Sequence, residues 1–324
     1  MAAHARCRAR GRHAPAGGRA RARRPAPAGR RRWCGARRRH RRRSRVRRWR
    51  PAARPARGGF VVGPQPIGVG QLAAAALLVV VGLGAVRTFR LGLERDLAWA
   101  ATRTVAQLSV VGYVLVWIFA RAEFGWVALA FGVMLTAATW TAAHRVARPI
   151  PGLLGSAAVA LAVSCGATTF AVTALIVRAD PWWAPRYFLP LAGMIVGNAM
   201  NAAALAAERL QSEIAARADE IEERLALAAA PRQAVAPALR AALRAALIPT
   251  INSMLTVGLV SIPGMMTGQM VAGADPSMAA RYQIVVMFML AAATTWAAVL
   301  IGALLYGRFF TRAWQLRRDA LGAP

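Results

Sequence analysis

The chain has 324 residues, 57% hydrophobic and 17% charged, with 43 basic residues against 12 acidic ones. Its apolar residues come as long runs rather than short alternating stretches, which excludes an ordinary soluble domain and points to a membrane protein. Every basic residue is arginine, so a phosphate-cradling G-x-x-x-x-G-K-[ST] loop is excluded, and any ATP hydrolysis tied to this protein belongs to another chain.

Residues 1–57 hold 23 of the arginines and no acid, in runs such as Arg37 to Arg43 interrupted only by His40. A segment this charged buries too little to offset its ordering entropy. It also lacks the apolar stretch of a secretory signal. An over-called start codon is the favoured reading of residues 1–59; a disordered tail gripping anionic lipid or nucleic acid, and a targeting segment, are the alternatives. The membrane domain is then 60–315, with 316–324 as a short cytoplasmic tail, and no nucleic acid is expected on the folded body. Cys7, Cys34 and Cys165 form neither a metal spacing nor a paired framework.

With about 20 apolar residues per span, the sequence predicts an all-α polytopic membrane protein with about seven transmembrane helices. They fall near 67–86, 97–120, 126–143, 152–177, 187–207, 248–272 and 280–306. The fourth is bounded by Pro149-Ile150-Pro151 and by Asp180-Pro181-Trp182-Trp183, whose indoles suit the headgroup level. Counted over short loops, an outside start for the first helix leaves 15 arginines on the cytoplasmic side and four outside. This predicts a cytoplasmic C-terminus in the inner (plasma) membrane. The tail opposes that orientation, since its 23 arginines would have to cross the bilayer.

The longest hydrophilic stretch, 208–247, reads as a helical cytoplasmic insertion between the fifth and sixth spans. Leu210, Ile214, Ala218, Ile221 and Leu225 recur at helical spacing, with Glu213, Arg217, Glu220, Glu222, Glu223 and Arg224 on other faces. After Pro231 a second segment carries Arg240 and Arg244 one turn apart and ends at Pro249. The charges read either as a solvated face or as a docking surface for a cytosolic partner.

Within the spans there is no Asp, Glu or His deep in hydrocarbon, which argues against a proton-coupled pump. The polar candidates are Arg103 and Gln107 on the second span, four residues apart; Asn198 and Asn201 on the fifth; and Asn252, Thr256 and Gln269 on the sixth. Arg103 can snorkel, whereas Gln107 lies too deep and needs a partner in the bundle. On the fifth span Gly193 and Gly197 make a G-x-x-x-G face beside Met194, Asn198 and Asn201, read either as packing glue or as a passage lining. Pro263-Gly264 is expected to break the sixth span near its middle, as happens beside substrate sites. Met265, Met266, Met270 and Gln269 follow that break; the thioethers are gap-filling side chains or soft ligands, and no metal-ligand set can be assigned.

Three blocks in order carry a family resemblance: Arg103-Thr104-Val105-Ala106-Gln107-Leu108 through Gly112-Tyr113-Val114-Leu115; Ala192 to Met200; and Arg244 to Gly268, followed by Gly273, Asp275-Pro276 and Tyr282-Gln283-Ile284. Over roughly 67–315 the chain resembles the FetB-type permeases, membrane subunits of ABC transporters described as iron exporters, with plant relatives acting in aluminium tolerance. The resemblance implies a permease without a cofactor of its own, pairing with a cytosolic ABC ATPase subunit that uses ATP and Mg, as two copies of each. Residues 224–249 would then be the coupling element, with Glu222 and Glu223 only distantly similar to the Glu-Ala-Ala loop of importers. An ATP-independent carrier for a small solute and a membrane scaffold that recruits a partner are the competing readings.

Overall fold

The computed structural model describes residues 68–146 and 149–321. The expectations about residues 1–59, Cys7, Cys34 and Arg148 lie outside them.

Among the described residues nine α-helices form: α1 (Val69–Thr88), α2 (Glu94–Arg121), α3 (Phe124–Arg145), α4 (Leu153–Phe170), α5 (Pro185–Ala216), α6 (Ala218–Ala226), α7 (Pro231–Thr256), α8 (Gly264–Val271) and α9 (Pro276–Leu305). A π-helical turn, Ala171–Ile176, extends α4, and short 3-10 turns follow α9. Seven of these elements are long and apolar enough to cross a membrane, so the chain is an all-α polytopic membrane protein. Proline at the first helical position starts α5, α7 and α9, where its missing N–H would have had no helical acceptor. At α9 the Asp275 carboxylate also caps the backbone N–H groups of Ser277 and Met278, each at 3.1 Å.

The core runs along α5, which packs on α3, α4, α7 and α9. Its contact faces are built from small residues. Ala199, Ala203 and Ala207 of α5, Ala157 and Ala160 of α4, Ala238 and Ala242 of α7, and Ala293 and Ala297 of α9 are all buried. In a bilayer, small side chains let backbones approach and gain dispersion contacts that bulky ones would forbid. At Gly302 of α9 a Cβ would meet Leu239 of α7 at 2.9 Å, and at Gly193 of α5 one would meet Met134 of α3 at 3.1 Å. Gly197 faces open space, so only the first glycine of the G-x-x-x-G pair serves close approach.

One end of the bundle is closed by aromatic rings. Phe124 meets Trp182 and Trp183 edge-on at 5.8 and 6.0 Å, Phe170 meets Trp182 at 5.3 Å, and the Arg121 guanidinium lies 4.6 Å from the centre of the Trp117 ring. Such a cluster suits a membrane–water boundary, where the rings sit in apolar surroundings and the polar edges stay wet.

Two boundaries depart from expectation. A helix over 248–272 does not form: the sixth span is Pro231–Thr256, and it runs straight through Pro237 and Pro249. Each proline removes one hydrogen bond. Leaving the helix at those points would expose several backbone groups at once, and the buried Ala234, Val235, Ala238, Ala242 and Ala246 hold the flanking turns. The interruption comes at 257–263, where Gly258 takes φ +83° and its N–H donates to the Ser261 carbonyl at 2.8 Å. Pro263 therefore caps the start of α8 instead of breaking a continuous helix.

The fifth span also continues past 207, to Ala216. Its 32 residues reach about 48 Å at 1.5 Å per residue, against a hydrocarbon layer of about 30 Å. The helical segment between the fifth and sixth spans is thus built from the end of α5, the short α6 and the first turns of α7.

Candidate functional site

Three helices carry polar or sulfur-bearing side chains onto one cleft at helical spacing. Asn198, Asn201, Ala202 and Leu205 come from α5; Ala246, Pro249, Thr250 and Ser253 from α7; Met287 and Leu290 from α9. They enclose a cavity of about 150 Å³. Residues three and four apart share a helix face, so each helix contributes one continuous stripe. Pro249 cannot donate to the Ala245 carbonyl, which leaves that carbonyl on α7 without its usual helical donor.

Within the cleft, the Asn198 amide nitrogen donates to the Met194 carbonyl at 2.8 Å, fixing the side chain along α5. The Asn201 carbonyl oxygen accepts from the Arg145 guanidinium at 2.5 Å, so the last residue of α3 reaches the cleft edge. One turn along α9 from Met287, Gln283 is 6% exposed and its side-chain oxygen has no hydrogen-bond partner. A buried amide oxygen without a partner is costly.

The sequence-derived candidates divide into four groups. Asn198, Asn201 and Pro249 meet in the cleft, with Met194 behind Asn198. Arg103 lies instead in a wide groove of about 710 Å³ against Leu129, Val133, Thr136 and Trp140 of α3, while Gln107 is exposed one turn further along α2. Gly264, Met265, Met266 and Gln269 belong to α8, which packs on α9; Met265 joins the main core. Asn252 and Thr256 are exposed on α7, where the Thr256 hydroxyl donates to the Asn252 carbonyl at 3.0 Å.

Thr250, Ser253, Met287 and Arg145 are cleft residues that sequence reasoning passed over. Ser253 adjoins the chosen Asn252, and one residue along a helix is a rotation of about 100°. The serine faces the cleft while the asparagine does not, and the signal lay in Asn198–Asn201 and Thr250–Ser253 both being spaced by three. Among the described residues, no group of three His, Cys, Asp or Glu side chains is arranged to hold a metal ion.

At the far end from the aromatic rings, α6 and the C-terminal segment are tied together. Arg318 donates to both carboxylate oxygens of Glu222 at 2.9 and 2.7 Å and to Asp219 at 3.0 Å. These bonds push the Glu222 carboxyl below its ordinary range and the guanidinium above its own. Arg224 pairs with Glu220 at 2.6 Å along α6. Glu222 and Arg224 are therefore engaged within the chain, while Glu223, Arg240 and Arg244 face outward. Leu227, 78% exposed, stands at the turn between α6 and α7.

Residues 69–310 match the family described as "Uncharacterised protein family (UPF0014)". The Synechocystis "UPF0014 membrane protein slr1647" is 42% identical over 226 residues, covering 70% of this chain and 87% of that one. The Arabidopsis thaliana protein "ALUMINUM SENSITIVE 3" is 38% identical over 250 residues, 76% of this chain and 90% of its own. The Escherichia coli "Probable iron export permease protein FetB" is 38% identical over 246 residues, 76% of this chain and 93% of its own. No solved structure matches. The chain belongs to the UPF0014 family of membrane proteins, in which its stretches at 103–115, 192–200 and 244–268 resemble the FetB-type permeases.

Proposed function

We propose that this chain is the permease subunit of an ABC transporter, passing iron or a related metal species through the cleft between α5, α7 and α9. The observation that carries the reading is that cleft. It places neutral polar side chains from two spans, with Met287 from a third, around one cavity close to the end of the sixth span, in a relative of a protein named as an iron export permease.

Energy would come from a separate cytosolic ATP-binding subunit using ATP and Mg, with the permease as a homodimer in the inner membrane and its C-terminus cytoplasmic. Arginines concentrated at the α6 end support that side as cytoplasmic. The coupling surface would be Leu227, Glu223, Arg240 and Arg244, which face outward there. Arg318 holding Glu222 and Asp219 would give α6 a fixed seat from which to pass a push along α7 to the cleft.

The test is co-purification. Expressed with its genomic neighbours and extracted in mild detergent, the chain should bring an ATP-binding subunit with it, and Arg240→Ala with Arg244→Ala should dissociate that subunit without loss of the permease. An ATPase that never accompanies the chain would shift the reading to an ATP-independent carrier.

A further inference from the structure

We infer that the cleft takes its metal as a net neutral or anionic complex with an oxygen-donor chelator, and that Arg145 is the residue that selects for that charge. The inference rests on the cleft being the transport route. Its lining has no carboxylate, imidazole or thiolate: the polar groups are two amides and two hydroxyls. Neutral oxygens of this kind can surround a hard cation elsewhere, so their chemistry does not decide the matter.

The nearby formal charge does. Arg145 donates to Asn201 at the cleft edge, and among the described residues it has no carboxylate partner, so its positive charge is not cancelled locally. A bare divalent ion entering the cavity would shed water and meet an uncompensated like charge at the exposed cleft edge, both unfavourable. A carboxylate-chelated metal reverses the second effect, since its free oxygens can accept from the guanidinium and from the cleft hydroxyls. The planar fork of arginine suits a carboxylate better than a point charge would.

The measurement is equilibrium binding to the full chain in lipid nanodiscs, with radiolabelled ferric citrate as one probe and Mn²⁺ alone as the other. Ferric citrate should bind saturably, Arg145→Gln should weaken it at least about tenfold, and Arg145→Lys should recover part of the loss. Mn²⁺ alone should show no saturable site. Saturable Mn²⁺ binding that persists or tightens in Arg145→Gln, ferric citrate binding indifferent to that change, or binding of neither probe overturns the inference.

Metal efflux from cells carrying the cleft-filling Asn198→Leu or Ser253→Leu separates this from the underlying reading. Efflux that persists shows the cleft is not the route. Efflux abolished while the bare ion is the probe that binds leaves the route standing and removes only the charge selection.

Discussion

Helices α1 and α5 differ in a direction that a soluble protein would not show. The best window of α1 has mean hydropathy 2.2 and none of it is buried, whereas that of α5 has 1.5 and 56% of it is buried. In water the more apolar helix would be the one inside. In a bilayer apolar surface gains nothing by leaving lipid, so burial follows side-chain size and polarity instead. α1 is rich in Leu and Val along its outward faces, while α5 buries a run of alanines, Ala199, Ala202, Ala203, Ala206 and Ala207, against its neighbours. α1 packs chiefly on α2, and α2 meets the rest of the bundle mainly near its C-terminal end, where Ile118 packs with Val127 of α3 and Phe188 of α5 and Trp117 meets Trp126 at 4.5 Å.

The sharpest way to break this comparison is to make the same substitution in both helices. Ala203→Leu adds volume where the side chain is fully buried, and about 1–3 kcal/mol of stability should be lost. Ala75→Leu on exposed α1 should change stability by no more than about 0.5 kcal/mol. Thermal loss of monodispersity on size exclusion, followed for both variants, reads the difference. Equal losses would show that α1 is packed more tightly in the membrane than its contacts within one chain indicate.

A smaller effect is expected on α2. Gln107 is an exposed amide within an apolar span, and in the proposed homodimer a second copy of the chain would satisfy it. Interhelical hydrogen bonds in membranes average about 0.6 kcal/mol, so Gln107→Leu should weaken self-association about threefold while leaving the single-chain fold intact. Fluorescence energy transfer between labelled copies in liposomes measures it, and unchanged transfer would place the dimer contact elsewhere.

The smallest change sharpens the contrast from the other end of the bundle. Arg318→Ala should release the C-terminal segment from α6 and increase its cleavage by protease severalfold, with the spans unaffected. Acid should imitate the substitution. The Glu222 carboxyl is held below its ordinary 4.5, so the clamp is complete above that value and is lost as pH falls through the lower folded one. A cleavage rate flat with pH would show that the ion pairs of Arg318 do not hold the segment.

Much of the architecture was legible in the residues. Length and apolar content set the number of spans, because a helix is the only open-ended way to satisfy backbone groups in hydrocarbon. The aromatic boundary at Trp182 and Trp183 and the polar stripe of Asn198 and Asn201 were readable for similar reasons. Pro249 misled because a proline that ends a helix in water can be carried through one in lipid when packing holds both sides. Asn252 lies off the cleft because each residue turns a helix by about 100°, which puts its neighbour Ser253 on the cleft face instead.

What the sequence determined alone was the membrane class, the seven spans, the absence of a nucleotide-binding loop and the interruption of the chain near Pro263. Only the tertiary structure decided that the interruption begins at Val257, that Ser253 and Met287 join the asparagines, that Arg145 reaches Asn201 across 56 positions, and that Arg318 holds α6. The reason is physical. Span formation depends on the local balance between backbone satisfaction and lipid, whereas a cleft depends on the relative rotation of three helices, which is set by small residues packing far apart in the chain.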